Sequence, residues 1–416
     1  MVSSSAATPT QQNLHAYAMF AALLATAGLP IYIHAPKFYV DQYGVSLAGL
    51  GAVLFALRLI DVVQDPVFGR LSDAFRDRRG AAVLLGAGVM VAGMFGLFAI
   101  QPLFAPLLWF AVMLTLVFSG FSFLTINFYA QGVLKATHLP NRGHLTLARW
   151  RESGALFGVC LASIAPVALG AYMKAPFAGF AVGFLVLAAF SLFAMRNEWK
   201  ADHVPPSVGF GAILGDPLAR RLLLIAFVNA APVAVSSTLF LFFVESRLEA
   251  PGLEGPLLVL LFLAAAITAP IWGKCAERYG AKPVLLLAMI LAILTFAGAI
   301  FLGPGDWVAF AVICFFSGCA MGADLTLLPA IFANRMACIS PSAAEGFGLW
   351  SFVSKFTLAI AAVTLLPALE HAGFDSASTT HTESTLSLLT LLYAAVPCAL
   401  KLIAIALLAT TELKEI

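Results

Sequence analysis

The stretch RLIDVVQDPVFGRLSD, residues 58–73, places Arg58, Asp61 and Asp65 at i, i+3 and i+7 within a run that is otherwise apolar. On a helix of 3.6 residues per turn the three share one face. The chain around them is 61% hydrophobic and 11% charged over 416 residues, with a mean hydropathy of +0.96. No soluble core can hide that much apolar surface, so the bilayer is the expected solvent and the fold class is all-α integral membrane. A charge near the bilayer centre costs roughly 3 kcal/mol on insertion scales, so the stripe is expected to face the interior of a helix bundle and mark a pathway.

Working outward from this helix, punctuation by Gly, Pro and charged residues cuts the chain into twelve apolar spans. They lie near 14–37, 45–72, 80–101, 103–132, 145–171, 175–195, 219–244, 253–275, 281–302, 306–333, 343–369 and 386–411. Each is close to the 20 or so residues needed to cross a hydrocarbon core. The longest polar break, 196–218, is read as a cytoplasmic linker between an N-terminal six-helix bundle (1–195) and a C-terminal one (219–416). With both termini cytoplasmic, fifteen Lys/Arg fall on the cytoplasmic side and three (Lys37, Lys174 and Arg247) on the other, a positive-inside bias. The N-terminus lacks the basic region and cleavage site of a signal peptide, so the first span is expected to be retained.

The net charge of +2 supports no nucleic-acid partner. The six cysteines form no CxxC or Cys/His set, and no nucleophile–base or metal constellation appears, so no cofactor and no enzyme activity are expected. The expected partners are the lipid bilayer and a small-molecule substrate, with the chain acting as a monomer.

One pattern recurs about 204 residues apart. Pro66-x-x-Gly69-x-x-x-Asp73 is followed by Arg78 and Gly80; Pro270-x-x-Gly273-x-x-x-Glu277 is followed by Arg278 and Gly280. Each copy ends the second span of its half, which implies duplicated bundles. The pair resembles the loop signature of the major facilitator superfamily. That resemblance implies a major facilitator fold in which Gly69 and Gly273 permit close helix crossing, while Asp73, Arg78, Glu277 and Arg278 hold helix ends on the cytoplasmic side.

Within that superfamily, Arg58-x-x-Asp61-x-x-x-Asp65-Pro66-x-x-Gly69, preceded by Tyr39-Val-Asp41-x-x-Gly44-Val-Ser46, resembles the glycoside-pentoside-hexuronide:cation symporters and, more distantly, the sodium-dependent lysolipid transporters. The resemblance implies that Asp61 and Asp65 bind the coupling ion. It also implies that Lys355, in Gly346-Phe-Gly-Leu-Trp350-Ser-Phe-Val-Ser-Lys355, approaches those carboxylates from the eleventh span. Read from the residues alone, paired carboxylates can hold a hard cation through oxygens or share a proton, so a sodium at Asp61 and Asp65 and a proton both stand. Lys355 is too deep to snorkel and needs an anion, either from this pair or from Asp324 in the tenth span.

Arg151 matches an arginine that the family places near its sugar. Its neighbours Arg149 and Glu152 are spaced to pair at i, i+3 as a gate. Thr125, Asn127, Asn229 and Trp350 are further candidate substrate contacts, with interhelical hydrogen bonding or packing as the alternative for each. The family's sugar-holding acids on the first and fourth helices have no counterpart here. Spans one and four carry no Asp or Glu, and Ile126 occupies the fourth-helix position. That leaves galactoside recognition without its acids and favours a proton over sodium. The functional expectation is a cation-coupled symporter of a small, glycoside-like organic solute, multi-pass in the inner (cytoplasmic) membrane. A lysolipid or amphiphile transporter is the first alternative, and a non-transporting membrane sensor the second.

Overall fold

A computed structural model describes residues 13–139, 143–199, 208–340, 342–374 and 382–413. All regular structure among them is helical. The first span is broken into α1 (Leu14–Thr26) and α2 (Leu29–Tyr43), where Gly28 is followed within two residues by Pro30, which has no N–H to continue the ladder. Then follow α3 (Leu47–Ala74), α4 (Arg79–Phe98), α5 (Pro106–Thr137), α6 (Gly143–Gly170) and α7 (Pro176–Met195). A short helix α8 (Gly209–Gly215) leads into α9 (Pro217–Phe242), α10 (Glu254–Tyr279), α11 (Ala281–Phe296), α12 (Trp307–Ile339) and α13 (Ala344–His371). The last span is α14 (Glu383–Thr390) joined to α15 (Val396–Ala409) by a widened π turn.

Ten helical stretches are long and apolar enough to cross a bilayer. The broken α1/α2 pair and α3 complete twelve spans. α3 is 28 residues long, ample to cross, but carries the charges of the opening stretch. This is the twelve-helix, two-bundle architecture expected from the hydropathy pattern. The outer surface agrees with it: Leu85 is 72% exposed, Leu294 73% and Val63 70%, which suits a surface bathed in lipid tails.

One buried apolar cluster is confined to residues between Leu14 and Trp199, and another to residues between Ala234 and Ala394. A further cluster mixes the two halves, combining Ile126, Ala130 and Val133 of α5 with Leu327, Leu328 and Ile331 of α12. The halves also meet along two long crossings, α3 on α13 and α6 on α10. These crossings position the site.

Both crossings are set by the repeated glycines. A side chain at Gly69 would lie 3.1 Å from the Ala344 carbonyl oxygen and 3.4 Å from the Gly348 Cα; one at Gly273 would lie 2.9 Å from the Arg149 side chain. Backbone or stem therefore approaches where a Cβ has no room. The copies differ at their ends. Gly280 closes α10 with φ +92°, a conformation that L side chains rarely adopt, whereas Gly80 is helical and lies near Trp199.

Candidate functional site

α3 turns Asp61 and Asp65 inward because they share a face, and that face meets α5 and α13. Asp65 is 0% exposed and Asp61 6%. The Lys355 ammonium, from α13, lies 3.0 Å from Asp65 Oδ2 and 3.7 Å from Asp61 Oδ2. It donates to Asp65 Oδ1 at 3.1 Å and to the Ser122 hydroxyl of α5 at 2.6 Å. Ser351, one turn before Lys355, donates its hydroxyl to Asp65 Oδ2. Gln64 donates to Asp61 Oδ1 at 2.6 Å and accepts from Ser119 at 3.0 Å. The Arg58 side chain lies outside the described residues, and so does any pairing with Asp61.

The cluster thus joins two helices of the first half to one of the second through a single ammonium. Both carboxylates lie within 4 Å of the Lys355 ammonium. The arrangement can exchange its lysine contact for a bound cation or proton. The neutral members, Gln64, Ser119, Ser122 and Ser351, were not singled out from sequence. Their only signal is helical spacing: Gln64 is i+3 from Asp61, Ser351 is i−4 from Lys355, and Ser119 and Ser122 share a face of α5.

Asp324 does not meet Lys355. Its Oδ2 is paired with Lys401 of α15, which also donates to Asn229 Oδ1 of α9 at 2.7 Å. Lys401 falls near the middle of the span read at 386–411, the same signal that marks Lys355, and was not singled out.

The Arg149 and Glu152 pairing read from i, i+3 spacing is not what the structure holds. Arg149 reaches across the crossing to Glu277 of the second repeat at 3.1 Å, where Thr146 also donates at 2.9 Å. Glu152 instead accepts from Arg151 Nε at 2.8 Å and from the Tyr129 hydroxyl at 3.4 Å, with the Arg151 guanidinium 3.8 Å from the Tyr129 ring centroid. The longer reach wins because close packing at Gly273 carries the Arg149 stem onto α10, while Tyr129 supplies a face for Arg151. The Arg151 Nη2 and Thr125 Oγ1 atoms are buried with no hydrogen-bond partner among the described residues.

The remaining candidates are placed as follows. Asn127 is fully buried, accepting from Ser72 of α3 and donating to the Phe123 carbonyl, both at 2.8 Å. Trp350 packs on Phe332 of α12 with centroids 4.9 Å apart. Asp73 lies 3.9 Å from Arg76. Arg78 is exposed, and Arg278 lies 5.2 Å from the Tyr279 ring centroid. The structure therefore brings Asp61, Asp65 and Lys355 together, Arg149 with Glu277, and Asn229 with Asp324.

Comparison with known proteins adds two findings. A family model described as MFS/sugar transport protein matches residues 14–415. Among solved structures, the human organic anion transporter MFSD10 (TETRAN) is 16% identical, covering 96% of this chain and 100% of its own, with a TM-score of 0.64. A bacterial homologue of the iron transporter ferroportin, in its outward-facing state, is 15% identical over 95% of this chain and 98% of its own, with a TM-score of 0.68. The same homologue soaked with iron gives 16% and 0.68. At such identities the likeness shows the fold alone. No curated protein matches by sequence.

Proposed function

The chain belongs to the MFS/sugar transport protein family, and from that premise we propose that this membrane transporter is a cation-coupled symporter of a small, glycoside-like solute working by alternating access. One observation carries the reading: Lys355 of the second half sits between two buried carboxylates of the first, at 3.0 and 3.7 Å. A cation or proton arriving at Asp65 competes directly with Lys355. Because that lysine is an ionic tie between α3 and α13, its release changes the relative stability of the two global states, which is what coupling requires.

The proton is the favoured ion. Spans one and four supply no further carboxylate, so the charged oxygens read for the site are those of Asp61 and Asp65, and the other oxygens there are neutral hydroxyls and an amide. With both termini in the cytoplasm and the membrane the inner (cytoplasmic) one, the crossings at Gly69 and Gly273 and the Arg149–Glu277 pair hold the cytoplasmic end closed. The two six-helix units then rock against each other, and the chain acts as a monomer.

An amphiphile such as a lysolipid is the alternative substrate, and the same assay tests it. Uptake in proteoliposomes separates the outcomes. Wild-type protein is expected to accumulate a radiolabelled glycoside when an inward proton gradient is imposed, and Asp65→Asn to lose accumulation while retaining downhill exchange. Full accumulation by Asp65→Asn overturns the coupling assignment; accumulation of a lysolipid and no glycoside overturns the substrate class.

A further inference from the structure

The Lys401, Asp324 and Asn229 cluster has no task in the coupling site. It lies wholly within the second half, so it neither makes nor breaks as the halves separate. Lys401 Nζ holds a carboxylate through Asp324 Oδ2 and an amide through Asn229 Oδ1, so the two groups are neighbours on one ammonium. Each has one polar atom left over. Among the described residues Asp324 Oδ1 is buried with no hydrogen-bond partner, and the hydrogen bond that Asn229 makes there uses its Oδ1 and leaves Nδ2 free to donate.

An ion pair kept only for packing does not need such leftovers. A well-packed apolar pair of similar volume is commonly as stable or more so, and a buried acceptor without a donor is costly. A free acceptor beside a free donor is the arrangement that reads a hydroxyl, which gives one hydrogen bond and takes another. The charges of Asp324 and Lys401 cancel, so the pair selects neither an anionic nor a cationic group. We propose that Asp324 Oδ1 and Asn229 Nδ2 form a subsite for the hydroxyls of a neutral polyhydroxylated solute, with Lys401 as the positioning residue that fixes both.

The location fits. Asp324 is near the middle of α12 (Trp307–Ile339), the depth at which transporters of this architecture hold substrate. Met321, one turn earlier, packs against a cluster formed by Leu156 of α6 with Ala265 and Ala269 of α10, and Leu328, one turn later, joins the cluster containing Ile126 and Ala130 of α5. Asp324 therefore occupies the stretch of α12 that abuts the first half. The subsite also supplies from the second half a carboxylate that spans one and four do not provide. It rests on the solute-transport reading above and is independent of Asp61 and Asp65.

The test is equilibrium binding to the purified full chain in detergent, read by thermal shift and tryptophan fluorescence, with 4-nitrophenyl glycosides, myo-inositol and lysophosphatidylcholine as probes. Wild-type protein is expected to bind a glycoside or inositol. The double variant Asp324→Met/Lys401→Met removes the acceptor without leaving an unpaired charge. Asn229→Ala removes the donor and leaves the ion pair. Each is expected to weaken binding roughly 10- to 100-fold, the worth of a hydrogen bond in such a site; Asn229→Ala, which also takes the Oδ1 acceptor from Lys401, is expected to melt cooperatively but earlier than wild type in the absence of probe. A merely structural pair predicts wild-type affinity in both variants, and that result overturns the subsite while leaving the transport reading intact. Wild-type protein that binds only lysophosphatidylcholine, or none of the probes, overturns the subsite and the glycoside reading together.

Discussion

Replacing Lys355 by methionine removes the only cation within 4 Å of Asp65 among the described residues, while keeping a side chain of similar length. With an effective dielectric of about 20, the attraction at 3.0 Å to Asp65 is roughly 5.5 kcal/mol and at 3.7 Å to Asp61 roughly 4.5 kcal/mol. These gross terms are offset by the cost of taking three charges out of water. The net price of stranding one buried carboxylate by deleting its partner is about 3–5 kcal/mol. Asp65→Asn should cost less, about 1–3 kcal/mol, because Lys355 keeps Asp61 and the Ser122 hydroxyl. The double variant leaves no stranded charge at Asp65, so its loss should fall short of the sum of the singles by at least about 2 kcal/mol. Reversible unfolding in mixed detergent micelles, followed by tryptophan fluorescence, measures all four corners of this cycle. Additivity within about 0.5 kcal/mol, the behaviour of independent sites, would show that the lysine and carboxylate do not act as a unit and would refute the reasoning.

Two further outcomes follow from the helix crossings and their ends. Gly348 lies 3.2 Å from the Gly69 Cα measured from a built Cβ, so Gly348→Val should wedge α3 from α13 and shift the population toward the state open at that end, read by labelling of a cysteine placed at Ser72; unchanged labelling refutes the crossing as the closure. Asp216 caps α9 through the Ala219 N–H at 2.7 Å and accepts from Arg335 Nε at 3.0 Å. That Arg335 hydrogen bond, more than the cap, holds the Asp216 carboxyl below the usual carboxylate range, against the opposing effect of its partial burial. Its folded value is the lower one, so the stabilisation is present above the unfolded carboxylate value near 4 and is lost as pH falls through the depressed one. Asp216→Asn, which can still cap, should flatten the acid limb of the melting profile, while Asp216→Ala should cost a further ~1 kcal/mol at neutral pH; parallel acid limbs for wild type and Asp216→Asn count against the pairing.

Much of the cluster of Asp61, Asp65 and Lys355 was legible before the structure. The i, i+3, i+7 stripe put Asp61 and Asp65 on one face, and a mid-span lysine had to find an anion. What was not legible were the neutral ligands. Ser122 and Ser351 are ordinary residues for a membrane helix and acquire meaning only because α5 and α13 converge on Asp65. The Arg149 and Glu152 reading failed for a related reason. Local spacing permits a pair, but it cannot weigh a partner 128 residues away that the Gly273 crossing delivers to 3.1 Å.

By itself the sequence determined the solvent, the number of spans and the duplication, because each is written in composition and short-range period: a bilayer demands about 20 apolar residues per crossing, and a repeated Pro-Gly-acid motif marks the same turn twice. It also determined which charges must turn inward, since only one face of α3 carries them. The tertiary structure alone decided who meets whom. Lys355 goes to Asp65, Lys401 to Asp324 and Arg149 to Glu277, and these choices depend on the angle and register at which helices far apart in sequence cross. That register is settled by the sum of packing along the whole crossing, with small residues such as Gly69, Gly273 and Gly348 allowing the backbones close enough for short polar contacts to form.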